Sequence, residues 1–379
     1  MKPLSGIKVL DLTQYIAGPY CTMLLEIFGA EVVKVENPRG DDARTWAPIR
    51  DGFSGYFANY NCGKKSVCLD MKDPEDRARL DKLIAKCDVL VHNFTGRTRE
   101  KLKVGYEAVS AVNPRVIYCN ISGWGATGPY KERKGFDTVF QAVAGITCLT
   151  GEKGGDPIKA GVPIGDVSGG MFAAMSILAA LRERDLTGQG ENIDLSMVEG
   201  LYNFLPVSMA FYSFNGRTPE RMGSGHVGRV PSQVFKCGDG KFVHISLNDG
   251  QWGKFCDLMG MEDWRDDPFY KVGLNRVQAR DEVVGRISGI LAGMTREELS
   301  RRCFEQGVPC GEVNAIEDIL ADPQAAARGS IEQHSYGSVT MNFVNYPARF
   351  SGFDIKLDRT IPAVGEHTEQ VFREWTGEV

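Results

Sequence analysis

Ile7-Lys8-Val9-Leu10-Asp11-Leu12, then Cys21-Thr22-Met23-Leu24-Leu25-Glu26-Ile27-Phe28-Gly29, then Glu31-Val32-Val33-Lys34-Val35 are the segments that decide the fold. The outer two are short apolar runs of strand length. The middle one reads as a helix closed by Gly29. Strand, helix and strand in succession require parallel strands joined by a helical crossover. Further apolar runs, Val89 to His92 and Val116 to Ile121, continue the alternation, and the charged helix Pro74 to Cys87 precedes the first of them. The pattern is that of an α/β protein, a parallel sheet with helices on both faces. In such sheets ligands lie outside the carboxyl ends of the strands. The loops Thr13 to Pro19, Asn93 to Arg97 and Ser122 to Lys134 follow strand ends and are the candidates to line one site.

Ser168 to Arg184 reads as a helix that is small or apolar all round, hence deeply buried. Gly188-Gln189-Gly190 turns the chain into a strand at Asn192 to Leu195. The character changes after Tyr212. Residues 213–228 are rich in Gly, Ser and Arg and read as a linker or loop. Asp239-Gly240 between two apolar runs signals a hairpin. Helical stretches follow at Gly250 to Leu258, Arg276 to Met294 and Arg296 to Gln306. With 379 residues, two domains are expected. The first is a large Rossmann-like domain over 1–212, completed by the tail 331–379. The second is a smaller α+β domain over 229–330.

Composition excludes several functions. Hydrophobic residues make up 42% and charged residues 25%, as in ordinary globular enzymes. A net charge of −5 provides neither a nucleic-acid footprint nor a polybasic membrane patch. No apolar run of transmembrane length is expected. The ten cysteines lack zinc-site spacing and read as free thiols in a reducing compartment. Met1-Lys2-Pro3-Leu4-Ser5-Gly6 has no apolar signal region, so a cytoplasmic location is expected. The five histidines are scattered, and no metal site is expected.

Gln14-Tyr15-Ile16-Ala17-Gly18-Pro19 follows the first strand, where a dinucleotide fold would need Gly-x-Gly-x-x-Gly, so nicotinamide binding is set aside. Gly63-Lys64-Lys65-Ser66 is a fragment of a Walker loop and reads as a solvated turn. No Gly-x-Ser-x-Gly elbow is present. Lys34, Lys64, Lys72, Lys101, Arg133 and Lys134 fall near strand ends, where they could meet phosphates or simply face solvent.

One carboxylate stands out, in Pro163-Ile164-Gly165-Asp166-Val167-Ser168-Gly169-Gly170-Met171. Asp166 sits between a Gly/Pro-rich approach and the long apolar helix. It can be an exposed nucleophile, with Gly169 and Gly170 leaving room for a substrate, or simply the N-cap of the helix.

Taken together and in order, the motifs resemble those of family III CoA-transferases, the relatives of formyl-CoA transferase and of the carnitine and bile-acid CoA-transferases. The resemblance rests on Gly6 to Asp11, Ala17-Gly18-Pro19, Gly29 to Glu36, Lys64 to Val67 with Leu69 to Lys72, Asp88 to Phe94, Asn113-Pro114-Arg115, Ser122 to Gly125, Thr127 to Tyr130, Gly165-Asp166, Ala179-Ala180-Leu181 and Gly365 to Thr368. It implies an acyl-CoA:carboxylate CoA-transferase that takes coenzyme A thioesters as substrates and needs no prosthetic group. Asp166 would be the nucleophile, passing through an aspartyl anhydride and an aspartyl-CoA thioester. The CoA nucleotide would lie against Ile16 and Ala17, Leu69, Asp70, Met71 and Lys72, Asn93, Phe94 and Thr95, Lys101, and Lys134, Gly135, Phe136 and Asp137. Some relatives place an arginine at the position of Asn37, for which Arg39 is the substitute. Gln14, Gly169, Gly170 and Asn248 would surround the acyl group. Asn248 stands in Ser246-Leu247-Asn248-Asp249-Gly250, where some relatives have a run of glycines. The resemblance also implies an interlocked, ring-like homodimer. Racemases of α-methylacyl-CoA thioesters share the fold and use the histidine of a Gly-His-Asp run. Here the run is Gly135-Phe136-Asp137, and phenylalanine cannot accept a proton. A racemase or a silent CoA-binding protein remain the alternatives.

Overall fold

The computed structural model describes residues 1–378. They form two compact units, one of residues 1–147, 159–218 and 328–378, the other of residues 148–158 and 219–327.

The first unit begins with β1 (Lys8–Leu12), α1 (Ala17–Ile27), β2 (Glu31–Glu36), a small ladder of β3 (Ile49–Arg50) and β4 (Phe53–Ser54), α2 (Gly55–Asn61), β5 (Lys65–Cys68) and α3 (Pro74–Ile84). β6 (Val89–His92), α4 (Gly96–Leu102), α5 (Tyr106–Val112), β7 (Ile117–Ser122) and α6 (Asp137–Val143) follow, with the short α7 (Ile146–Leu149) at the first boundary. α8 (Ile164–Thr187), β8 (Glu191–Ser196), α9 (Met197–Tyr202) and α10 (Pro206–Asn215) continue it. Six strands make one sheet in the order β5-β2-β1-β6-β7-β8, and every neighbouring pair is parallel. This is the doubly wound order, which reverses between β1 and β6 and opens a crevice there.

The strand sequences explain the two-sided core. Side chains alternate across a strand. Val9, Val32, Val89, Val91, Ile117 and Cys119 face one layer, packed with α1 and α8. Leu10, Leu12, Val33, Val35, Leu90 and Tyr118 face the other, packed with α3 and the C-terminal helix α18 (Thr368–Thr376). Both faces are covered, so the strands read as near-continuous apolar runs. Val371, Phe372 and Trp375 are the buried stripe of α18. The tail therefore completes the first unit, and each of these side chains contributes on the order of 2 kcal/mol of hydrophobic stabilisation.

α8 has 24 residues and holds a window long and apolar enough to cross a bilayer, against the sequence expectation. Its buried side is a core surface: Ala173, Ala174, Ile177 and Leu181 lie in the layer under the sheet.

The second unit holds β9 (Ser232–Lys236), β10 (Phe242–Ser246), α11 (Asp249–Met259), α12 (Glu262–Asp266), α13 (Gly273–Gln278), α14 (Arg280–Leu291), α15 (Arg296–Gln306), β11 (Cys310–Glu312), α16 (Ile316–Leu320) and α17 (Pro323–Arg328), whose last residue begins the return to the first unit. β9 and β10 are antiparallel around the Asp239-Gly240 turn, and β11 pairs with β10. Arg276 is only 1% exposed; it donates to Val230 O and Tyr270 O and pairs with Asp249. The stretch 213–228 is divided between the units. It begins inside α10 and continues into the second unit, where the Arg221 guanidinium donates to Cys148 O and Gly155 O. The excursion 148–158 into that unit carries no local signal in the sequence. The hairpin β12 (Ile331–Tyr336) and β13 (Val339–Val344) returns the chain to the first unit.

Candidate active site

α8 starts at Ile164, four residues before the start read from sequence, so Asp166 lies inside its first turn. The N-cap is Pro163, which offers no side-chain acceptor. The cap comes from another helix. Asp137, at the first position of α6 and 8% exposed, accepts the Gly165 N–H at 2.7 Å and the Asp166 N–H at 3.2 Å on its Oδ1. Its Oδ2 accepts from the Gln141 amide, one turn along α6. Gln141 in turn accepts the Ala160 N–H at 2.8 Å. Gly165 permits this approach, because a Cβ there would stand 2.9 Å from Asp137 Oδ1.

Asp137 therefore takes N–H groups that would otherwise face Asp166, and adds a negative charge beside it. Among the described residues, no donor is hydrogen-bonded to the Asp166 carboxylate and no cation acts on it. Burial, and then Asp137, push its pKa up from 3.8 to about 7. Asp166 is therefore not the cap of α8, a part that Asp137 plays from α6.

A band of aromatic residues, missed in the sequence, lies on the same unit. The Phe136 ring meets Tyr15 edge-on at 6.2 Å, and Tyr15 stacks on Trp46 at 5.1 Å. Trp46 meets Tyr56 at 5.1 Å, Tyr56 meets Tyr60 at 6.2 Å, and Tyr60 meets Tyr20 at 6.0 Å. Tyr56 and Tyr60 are one turn apart on α2, and the charge of Asp166 acts on both, raising their pKa values after burial has done so. The only local signal was the four-residue spacing of Tyr56 and Tyr60. Tyr15 has φ of +73°, a strained conformation for a non-glycine residue, and its hydroxyl donates to Asp42 at 3.2 Å.

The crevice at the sheet reversal brings two sequence candidates together. Gln14 N–H donates to Asn93 Oδ1 at 3.0 Å, and Asn93 Nδ2 donates to Gln14 O at 2.7 Å, locking the loop after β1 to the loop after β6. Ile16, Ala17 and Leu69 have buried side chains, which leaves mainly backbone for a ligand there. Asp70 accepts the Lys72 N–H, Met71 packs against the core, and Thr95 caps α4. Phe94 stacks on His92 at 5.6 Å. Arg39, Lys72, Lys101 and Lys134 are exposed. Phe136 is 63% exposed, and Gly135 lets the Phe140 ring pass within 2.4 Å of where a Cβ would stand. Asn248 belongs to the second unit and caps α11.

Two expectations are corrected by the packing. The places beside Gly169 and Gly170 are filled. A Cβ on Gly169 would meet Met197 at 3.1 Å, and one on Gly170 would meet the Ala17 carbonyl at 2.6 Å and the Tyr20 ring at 3.0 Å. The two glycines let α8 approach α1 and α9 rather than leaving room for an acyl group. Lys34 and Lys64 do not face phosphates. Both are buried, Lys34 paired with Asp41 at 2.8 Å and Lys64 with Asp11 at 3.0 Å. Glu36, at the end of β2, is paired with Arg44 through two bonds of 2.7 Å. His92 is no base either. Burial drives its pKa down to about 3, and its ring bridges the Phe94 N–H and the Tyr118 hydroxyl. Among the described residues no group of His, Cys, Asp or Glu could hold a metal ion.

The sequence profile of CoA-transferase family III matches residues 4–368. The chain belongs to that family. The transferase is 35% identical to the succinate–glutarate CoA-transferase of Agrobacterium fabrum over 98% of this chain and 95% of that one. It is 36% identical to the human succinyl-CoA:glutarate CoA-transferase, over 99% and 86% of the two chains. Among solved structures, a CAIB/BAIF family protein from Brucella suis superposes with a TM-score of 0.89 at 36% identity, covering 99% of both chains. The transferase is thus an enzyme whose reaction class is the movement of CoA between carboxylic acids.

Proposed function

We propose that the transferase moves CoA from an acyl-CoA to a free carboxylic acid with Asp166 as the covalent nucleophile. The observation that carries this reading is a half-buried carboxylate at the start of α8 with no hydrogen-bond donor and a pKa lifted to about 7 by burial and by Asp137. Such a group is poorly solvated yet ionises near neutral pH, which suits a nucleophile. Asp166 attacks the thioester carbon, the C–S bond breaks, and CoA leaves as thiolate with an aspartyl anhydride behind it. The thiolate attacks the aspartyl carbonyl, giving aspartyl-CoA thioester and releasing the first acid. The acceptor carboxylate then attacks that thioester, and the returning thiolate takes the acyl group from the second anhydride.

The exposed ammonium groups of Lys72, Lys101 and Lys134 support phosphate contacts, and the Gln14–Asn93 lock supports a crevice for the nucleotide. By analogy with the glutarate-active relatives, a dicarboxylic acid is the expected acceptor. A homodimer is supported by α10, which buries none of its residues: Val207 is 67% exposed and Phe214 90%. Ten free thiols support a reducing, cytoplasmic setting.

Hydroxylamine added during turnover with succinyl-CoA and glutarate should convert Asp166 to its hydroxamate, seen by peptide mass spectrometry. An unmodified Asp166 in an enzyme that is turning over would refute the covalent route. Deuterium uptake at the α-carbon of a 2-methylacyl-CoA without any acceptor acid would instead support the racemase. Phe136 in place of a base argues against that outcome.

A further inference from the structure

Oxyanion stabilisation is the part of the reaction that the start of α8 leaves unsupplied. Each addition to a carbonyl puts negative charge on its oxygen, and a preorganised donor is needed where that charge appears. A helix N-terminus commonly provides it, but the Gly165 and Asp166 N–H groups already donate to Asp137. Among the described residues no lysine or arginine acts on Asp166.

Two donors without a protein partner lie within reach of its charge, which acts on both. Tyr56 and Tyr60 lie at i and i+4 on α2, so their side chains share a face. Both are half-buried, and among the described residues neither hydroxyl has a hydrogen-bond partner or is sealed from solvent. A chain of ring contacts links them to the first turns of α8. Gly170, one turn after Asp166, abuts the Tyr20 ring, and that ring packs on Tyr60 at 6.0 Å. The Trp46 ring meets Tyr56 edge-on at 5.1 Å.

We propose that Tyr56 and Tyr60 are catalytic residues, whose phenol hydroxyls donate hydrogen bonds to the oxygen of the carbonyl under attack at Asp166. The inference rests on Asp166 being the nucleophile. In the first step an Asp166 oxygen bonds to the thioester carbon, and the carbonyl π pair moves onto the oxygen held by the phenols. That pair returns as the C–S bond breaks, and the sulfur departs as thiolate with the bonding electrons. The phenols keep their protons throughout. Burial and the Asp166 charge hold both in the neutral, donating form across the working pH range.

The test is the full-length enzyme carrying Y56F, Y60F or both, assayed with succinyl-CoA and glutarate. Removing a hydroxyl without a protein partner should leave Tm within about 2 °C. Loss of an oxyanion donor lowers kcat by about 10²–10³-fold. With the load shared, about a tenfold loss for each single variant and 10²-fold or more for the double variant is expected, with KM for acyl-CoA unchanged. The rate at which the Asp166 hydroxamate accumulates in a single turnover should fall in parallel. A double variant with unchanged kcat, or one with raised KM alone, overturns the inference while Asp166 labelling in the unaltered enzyme still stands. Absence of that labelling in the unaltered enzyme fails the nucleophile reading instead.

Discussion

Replacing Asp166 by Asn should stabilise the protein at alkaline pH while abolishing transfer. In the folded state the carboxyl titrates at about 7, against 3.8 when free. The folded state therefore holds the Asp166 proton more tightly than the unfolded chain. Between the two values the native protein binds more protons, so stability falls as pH rises through that window and stays low above it. The upward shift is about 3 units, and at about 1.36 kcal/mol per unit the ionised side chain costs the fold on the order of 4 kcal/mol above pH 7. The same linkage leaves a cost of about 2 kcal/mol at pH 5 and almost none below pH 3.8. Asn keeps the shape without the charge. The stability gap between D166N and the unaltered enzyme should therefore widen by about 2–3 kcal/mol between pH 5 and pH 8.5. For a unit of this size that corresponds to roughly 5–10 °C in Tm. Differential scanning calorimetry at the two pH values measures the difference of differences and cancels the titrating groups that do not interact with Asp166. An equal gap at both values, or a variant less stable at pH 8.5, would show that Asp166 is not a destabilised carboxylate and remove the basis for its role.

The charge of Asp137 should appear in kinetics. With an ionised Asp166 required, kcat/KM should rise with pH to a plateau above about 7, and D137N should move that midpoint to lower pH; a midpoint that does not move refutes the coupling. Lys64→Met would strip Asp11 of its buried partner at 3.0 Å and cost about 3–5 kcal/mol in urea unfolding, whereas a loss below about 1 kcal/mol would place the pair in solvent. Gly170→Ala would drive a methyl group to 2.6 Å from the Ala17 carbonyl, so unfolding should cost about 1–3 kcal/mol and activity should drop as α8 shifts. A fully stable and active G170A would mean that the α1–α8 approach is loose.

Much of the regular structure in both units could be read from local pattern. The β1–α1–β2 alternation, the apolar runs at β6 and β7 and the Asp239-Gly240 hairpin each depend on neighbouring residues, and each appears within a few positions of its expected bounds. The start of α8 did not. A Gly/Pro-rich approach suggests a turn up to Ser168, but Asp137, 29 residues upstream of Asp166, supplies the cap that lets the helix begin at Ile164. The linker reading of 213–228 had the same weakness, because the partners that hold Arg221 are carbonyls some 70 residues away.

Sequence alone settled the kind of protein: a parallel sheet wrapped by helices, an ordered set of motifs, and one conspicuous carboxylate. Those are properties of spacing and residue type, which survive without any knowledge of what touches what. Only the tertiary structure decided which charges are spent and which are free. Lys34 and Lys64 looked available until strand adjacency buried them against Asp41 and Asp11. Asp166 looked like a possible cap until Asp137 took its place, and Tyr56 and Tyr60 acquired meaning only when the fold brought them within reach of the Asp166 charge. Charge and burial are set by neighbours distant in the chain, and a one-dimensional pattern carries no record of them.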